Sequence, residues 1–185
     1  MNVDYLDDAF IKKRADLITK GYNKTPKIDI EGIATLKLGL KIHLVDLQSV
    51  YGKGTLGMIM PEEKLILCDK SLEPYGHNKE TKEHILRFTI AHETGHYVLH
   101  RKYMENIESP IFHKNLEKHE NKRLEIQANM LGAELLMPEY EFRKAYRHIK
   151  DEVKNITRYE LKKNLSALFN VSMQAVGYKM NSLKL

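Results

Sequence analysis

Apolar positions along this chain change their spacing several times, and the changes divide it into elements. Leu6, Phe10, Leu17 and Ile18 recur at helical spacing within residues 4–20, which predicts an amphipathic helix ended by Gly21. Asp29 is placed to cap a second helix that runs to Gly39. From there the pattern turns to short β-prone runs at 40–45, 55–60 and 65–68, with Pro61-Glu62-Glu63-Lys64 supplying the turn between the last two. Residues 81–101 are apolar nearly all round, as a buried helix requires. The polar stretch 102–118, with Pro110 inside it, predicts a loop. Leu124, Ala128, Leu131 and Leu135 then resume the helical period until Pro138 stops it.

Beyond Pro138 the chain again reads as helical. Thr157-Arg158-Tyr159-Glu160 is a capping-box signature opening a helix with Leu161, Leu165, Leu168 and Phe169 on it. Asn170-Val171-Ser172 then turns into a last helix over 173–183, and the pair has the outline of a helix-turn-helix. Its second helix offers few side chains for reading bases, only Gln174, Tyr178, Lys179 and Asn181, so packing or substrate docking is favoured over DNA binding. The expected class is α+β: a helical domain over 1–140 with a small three-stranded sheet beside its central helix. A helical C-terminal segment, 141–185, is expected to pack on the same domain.

Composition adds limits. With 185 residues and 42% apolar content the chain can bury a real core. It has no run of eighteen apolar residues, and Met1-Asn2-Val3-Asp4 does not open a signal-peptide core, so a cytoplasmic protein with no membrane partner is expected. Cys68, the single cysteine, cannot form an internal disulfide and agrees with a reducing compartment. Charge is uneven. Residues 139–185 carry 10 basic and 5 acidic side chains, a difference of +5, which is the net charge of the whole chain. A solvated lysine-rich face accounts for this, and an acidic partner would also suit it.

The chemistry centres on His92-Glu93-Thr94-Gly95-His96. On a helix, positions i and i+4 share a face, so two imidazoles converge on one divalent cation while Glu93 reaches toward a water on it. The flanking Thr89-Ile90-Ala91 and Tyr97-Val98 are uncharged and exclude bulk water, which strengthens electrostatics inside. This points to a zinc-dependent hydrolase that needs a third protein ligand. The pattern with a third histidine six residues after the second is excluded, because Leu99 and Lys102 stand where glycine and histidine would be needed. His100 continues the row but lies about 12 Å along the axis from His92, too far to share one ion, and reads as a buried partner. His113 and His119 read as surface histidines. A carboxylate on the 123–138 helix remains. Glu125, one turn before Ala128, faces the seam between the helices, and Glu134 competes with it. Gly95, costly inside a helix, and Gly132 both leave room for a neighbouring backbone.

Phe88-Thr89-Ile90-Ala91-His92-Glu93-Thr94-Gly95-His96-Tyr97-Val98-Leu99-His100, followed by Glu125-Ile126-Gln127-Ala128-Asn129 and Ala133-Glu134-Leu135-Leu136-Met137-Pro138, resembles the ImmA/IrrE family of metallopeptidases. Pro26-Lys27-Ile28-Asp29-Ile30 and Leu38-Gly39-Leu40-Lys41-Ile42 are similar to that family's lead-in, so the likeness spans roughly residues 20–140. Three features depart from it: Thr94 replaces a larger apolar residue, Leu131-Gly132 replaces Phe-Ala, and Gln127 replaces an acidic residue. The resemblance implies one Zn2+ (Mn2+ or Fe2+ being compatible) held by His92, His96 and Glu125, with Glu93 as general base. It also implies a helix-turn-helix repressor as the substrate, whose cleavage switches on mobile-element or stress genes.

On this expectation Glu93 takes a proton as water attacks the peptide carbonyl and passes it to the leaving amine. Tyr97, Tyr103, Tyr140 and Arg143 are candidates for stabilising the oxyanion, and the sheet is a candidate for binding an extended substrate by strand addition. Two alternatives stand beside it. One is a metal-stabilised, non-proteolytic regulator that binds a repressor or DNA through the basic C-terminal helices. The other is a deformylase-like hydrolase with Cys68 as the third ligand.

Overall fold

A long helix threaded through the centre of the molecule organises everything around it. The computed structural model describes residues 4–21, 26–104 and 118–185. Eight α-helices and one three-stranded sheet are present among them. The N-terminal helix α1 spans Asp8–Thr19, capped by the Asp7 carboxylate, which accepts from the Phe10 N–H. Its inward stripe is Ile11, Ala15 and Ile18, so Phe10 and Leu17, expected to face the core, are on the exposed side. The second helix is shorter than its pattern suggested. α2 covers Ile30–Gly32 behind an Asp29 cap and runs into a π-helical turn, Ile33–Lys37, where the Leu38 N–H reaches back to the Ile33 carbonyl. Gly39, at φ +70°, closes it and turns the chain into the sheet.

Strands β1 (Lys41–Val45), β2 (Gly57–Met60) and β3 (Leu65–Asp69) lie in the order β1-β3-β2. β1 runs parallel to β3, with Lys41 opposite Leu65, and β2 runs antiparallel, with Gly57 opposite Cys68. The parallel pairing demands a crossover, and the five-residue helix α3 (Leu47–Tyr51) lies within it. The Asp69 carboxylate pins this connection by accepting from the Leu47, Gln48 and Ser71 N–H groups. Among the described residues β1 and β2 are the edge strands, and the sheet rests on the central helix through β2 and β3.

The central helix α4 spans Lys79–Met104, longer at both ends than expected. The predicted loop that follows, with Pro110 and His113, lies mostly outside the described residues. α5 spans Lys118–Leu136, and its predicted stripe of Leu124, Ala128, Leu131 and Leu135 is fully buried. α4 and α5 cross at two matched points. A Cβ on Gly95 would stand 2.8 Å from the Ala128 carbonyl oxygen, and one on Gly132 would stand 3.2 Å from the Ala91 carbonyl carbon. Ala91 opposite Gly132 and Gly95 opposite Ala128 make the helices antiparallel. Backbones this close are possible only where side chains are missing.

α6 (Glu139–Glu152), α7 (Arg158–Phe169) and α8 (Met173–Ser182) complete the chain. Thr157 and Glu160 form the expected capping box, and Asn170, at φ 53°, makes the left-handed turn between α7 and α8. The turn is tied to α4 by Arg87. Its buried guanidinium donates to the Asn170 carbonyl at 3.2 Å and to the Ile28 carbonyl at 2.8 Å. Among the described residues, no helix is long and apolar enough to cross a membrane.

Candidate metal centre

The close crossing of α4 and α5 puts three side chains within reach of one another. His92 and His96 come from one face of α4, and Glu125 comes from α5, one turn before the Ala128 contact. The Nε2 atoms of the two histidines are 3.0 Å apart. Glu125 Oε2 is 3.3 Å from His92 Nε2, and Oε1 is 3.3 Å from His96 Nε2. Donors bound to a tetrahedral zinc ion at its usual bond lengths stand about 3.3 Å from one another, so this triangle fits one face of such a site. Among the described residues this is the group of His, Cys, Asp or Glu side chains able to hold an ion.

Both imidazoles are steered by a partner. Asn129 Oδ1 lies 3.0 Å from His92 Nδ1. His100, completely buried, sets its Nδ1 3.2 Å from His96 Nδ1, and its Nε2 is 2.9 Å from Gln127 Oε1. Burial, and then the neighbouring His96, push the His100 ring down to about 3, so it stays neutral. Burial would raise the Glu125 carboxyl, but hydrogen bonds from both imidazoles hold it well below the usual carboxylate range. Burial would lower His92, yet Glu125 beside it, with Glu93 nearby, leaves it raised overall.

Glu93 faces a different neighbourhood. It is 7% exposed, and burial pushes its carboxyl up to about 7, with Glu125 adding to the rise and His92 opposing it. The start of β2 lies directly against it, at Gly57. Sequence reasoning missed Gly57. The one available signal was a glycine inside the predicted strand 55–60, a position where a backbone is often approached closely. Asn129 was also passed over, although it sits one turn after Glu125.

Other residues singled out in the sequence are engaged elsewhere. The Glu134 carboxylate accepts from the Glu139 N–H at 2.7 Å and pairs with Lys179, both groups being buried. Lys179 is therefore turned inward and does not offer its charge to DNA. Cys68 is buried in β3, outside the triangle, and burial pushes its thiol up to about 12, far from the thiolate a metal needs. Tyr103 accepts from the Asp4 N–H, and Arg143 bonds Glu139 and the Leu183 carbonyl. His119 is exposed at the start of α5.

Beside the triangle a cleft of about 640 Å³ lies between α1, α5 and α8, its lining including Phe88, Ile126 and Asn129 as well as Gln174 and Tyr178. The Phe88 ring is centred 6.4 Å from that of His92. The second helix of the turn pair thus faces the cleft. The site combines a cation triangle, a buried carboxylate near neutrality, a strand edge and an apolar cleft, which is an arrangement suited to hydrolysing a bond in an extended chain.

A family model described as Peptidase_M78, IrrE N-terminal-like domain, matches residues 77–181, more than half of the chain. The matched stretch contains α4, the triangle and most of the C-terminal helices. No curated protein matches the chain.

Proposed function

The chain belongs to the Peptidase_M78 family of IrrE N-terminal-like domains, metallopeptidases by descent, and from that we propose a zinc-dependent endopeptidase that cleaves a helix-turn-helix transcriptional repressor. The proposal rests on one observation. Two imidazole nitrogens and a carboxylate converge at 3.0–3.3 Å, with a buried carboxylate next along the same helix. A zinc ion bound there would supply the Lewis acidity that acidifies water and polarises the scissile carbonyl.

The chain's own residues do the rest. His92, His96 and Glu125 would hold the ion. Glu93, raised to about 7 by burial, accepts the proton of the attacking water and returns it to the leaving amine. The outer edge of β2, starting beside Glu93, binds an extended peptide by backbone hydrogen bonds, and the neighbouring cleft takes its side chains. The repressor as substrate is supported by the resemblance of the motif blocks to the ImmA/IrrE family. Its cleavage relieves repression of mobile-element or stress genes, in the cytoplasm.

The test is incubation of the purified protein with repressors encoded beside its gene, with and without a chelator. Cleavage that stops on chelation, and a Glu93→Gln variant that keeps zinc but does not cut, are expected. Undiminished cleavage by that variant, or in excess chelator, overturns the reading.

A further inference from the structure

A chain of four groups runs from the metal triangle to the N-terminal segment, and its direction is fixed at the far end. Gln127 Nε2 lies 3.0 Å from the backbone carbonyl oxygen of Asp4. A carbonyl oxygen only accepts, so the nitrogen of the Gln127 amide must face it and the oxygen must face the other way. That oxygen lies 2.9 Å from His100 Nε2, which must therefore carry a hydrogen and donate it. A neutral imidazole has one N–H, so His100 Nδ1 is a bare acceptor. It stands 3.2 Å from His96 Nδ1, which must then be the donor. His96 is left with its lone pair on Nε2, the atom in the triangle.

We propose that His100 and Gln127 are positioning residues that lock His96 into its Nδ1–H tautomer, through a hydrogen-bond relay anchored on the Asp4 carbonyl. The inference rests on His96 being a metal ligand, as proposed above. It explains why a polar file runs through an otherwise apolar interior: His96, His100 and Gln127 are all 3% exposed or less. Buried polar groups of this kind are costly unless they are hydrogen-bonded, and here each ring nitrogen of His100 and both amide atoms of Gln127 have a partner. It also explains why Asp4 is fastened in place. Lys102 Nζ binds the Asp4 carboxylate at 2.5 Å, and the Tyr103 hydroxyl accepts from the Asp4 N–H at 3.0 Å. His92 differs, because its partner Asn129 presents an amide without a comparable anchor.

The tautomers can be read directly from long-range ¹H–¹⁵N correlations of the histidine rings in the full-length protein, first metal-free and then loaded with zinc. The expected result is a protonated Nδ1 on His96 and a protonated Nε2 on His100 in both states. A bare Nδ1 on His96, or a His100 ring protonated on Nδ1, overturns the relay. Zinc affinity, measured by chelator competition, gives a second readout. Gln127→Leu and His100→Phe should each weaken binding by about 10- to 100-fold, as loss of a group orienting a ligand does. Unchanged affinity in both variants overturns the positioning role. Wild-type protein that shows the expected tautomers and binds zinc but never cuts a peptide would refute the proposed function and leave the relay intact.

Discussion

Gly57 sits so close to Glu93 that a Cβ on it would lie 2.8 Å from the carboxylate Oε1 and 2.4 Å from the Thr89 methyl. The glycine is there for space, since its backbone is not in the left-handed region. Strand β2 thereby reaches the carboxylate proposed as the base, and on that proposal a substrate strand added to its edge passes the same group. Gly57→Ala must push either Glu93 or the strand aside. A displacement near 1 Å at a reacting group costs about 10²-fold in rate. We expect turnover to fall by roughly that factor while zinc content stays at one per chain. Wild-type turnover in the alanine variant would show that β2 and Glu93 are not coupled.

Gly95 plays the matching part on the other side of α4. Adding a methyl there meets the Ala128 backbone, which cannot rotate away as a side chain could. Overpacking of this kind costs about 1–3 kcal/mol. Because the α4–α5 spacing also sets the reach of Glu125, Gly95→Ala should weaken zinc binding along with stability. Leu165→Ala, a core truncation on α7, which carries none of the three proposed ligands, should cost stability with little effect on zinc. Equal zinc affinity in Gly95→Ala and wild type would refute the link between helix spacing and ligand geometry.

These two glycines also mark how far the sequence could be read. Gly95 and Gly132 were legible because a glycine inside an apolar helix demands a reason, and two of them on two helices suggest a close crossing. The strands and α5 were legible because their apolar spacing is regular and their ends carry Pro61, Lys64 and Pro138. Gly57 was not, since its role depends on a contact 36 residues away in the chain. Nor was the inward face of α1: Phe10 and Leu17 are larger than Ala15, but packing along α5 selects the stripe through Ile11, Ala15 and Ile18. Periodicity left Glu125 and Glu134 open. The structure brings Glu125 to the histidines, and Lys179 claims Glu134.

Lys179 and Glu134 form an ion pair that fastens α8 to α5, and both side chains are buried. Removing one partner strands the other charge in the interior, at a cost of about 3–5 kcal/mol. Lys179→Met should therefore lower stability by that amount. Adding Glu134→Gln, which can still accept from the Glu139 N–H, should restore most of it. Equilibrium denaturation of the single and double variants measures this. A double variant no more stable than the single one would mean that the stranded charge is not the cause.

On the proposed mechanism the placement of Glu93 trades stability for reactivity, and its burial has a definite pH signature. Its carboxyl lies near 7 in the folded metal-free protein because it is buried, against an ordinary value of 4.5. The folded state thus binds the proton more tightly than the unfolded state. Below about 4.5 the group is protonated in both states and nothing is lost. As pH rises toward 7 the unfolded chain releases the proton first, so stability falls, and the loss is complete once the folded group has ionised. The penalty is on the order of 3 kcal/mol, and Glu93→Gln removes it because an amide does not ionise. The two metal-free proteins should therefore unfold at similar temperatures near pH 4.5, with the variant ahead by several degrees at pH 8. Titrating groups that do not interact with Glu93, His100 among them, are common to both and cancel in the difference. A gap between the melting curves that does not change with pH would show that Glu93 ionises as an exposed carboxylate does, and that its burial does not tune it for proton transfer.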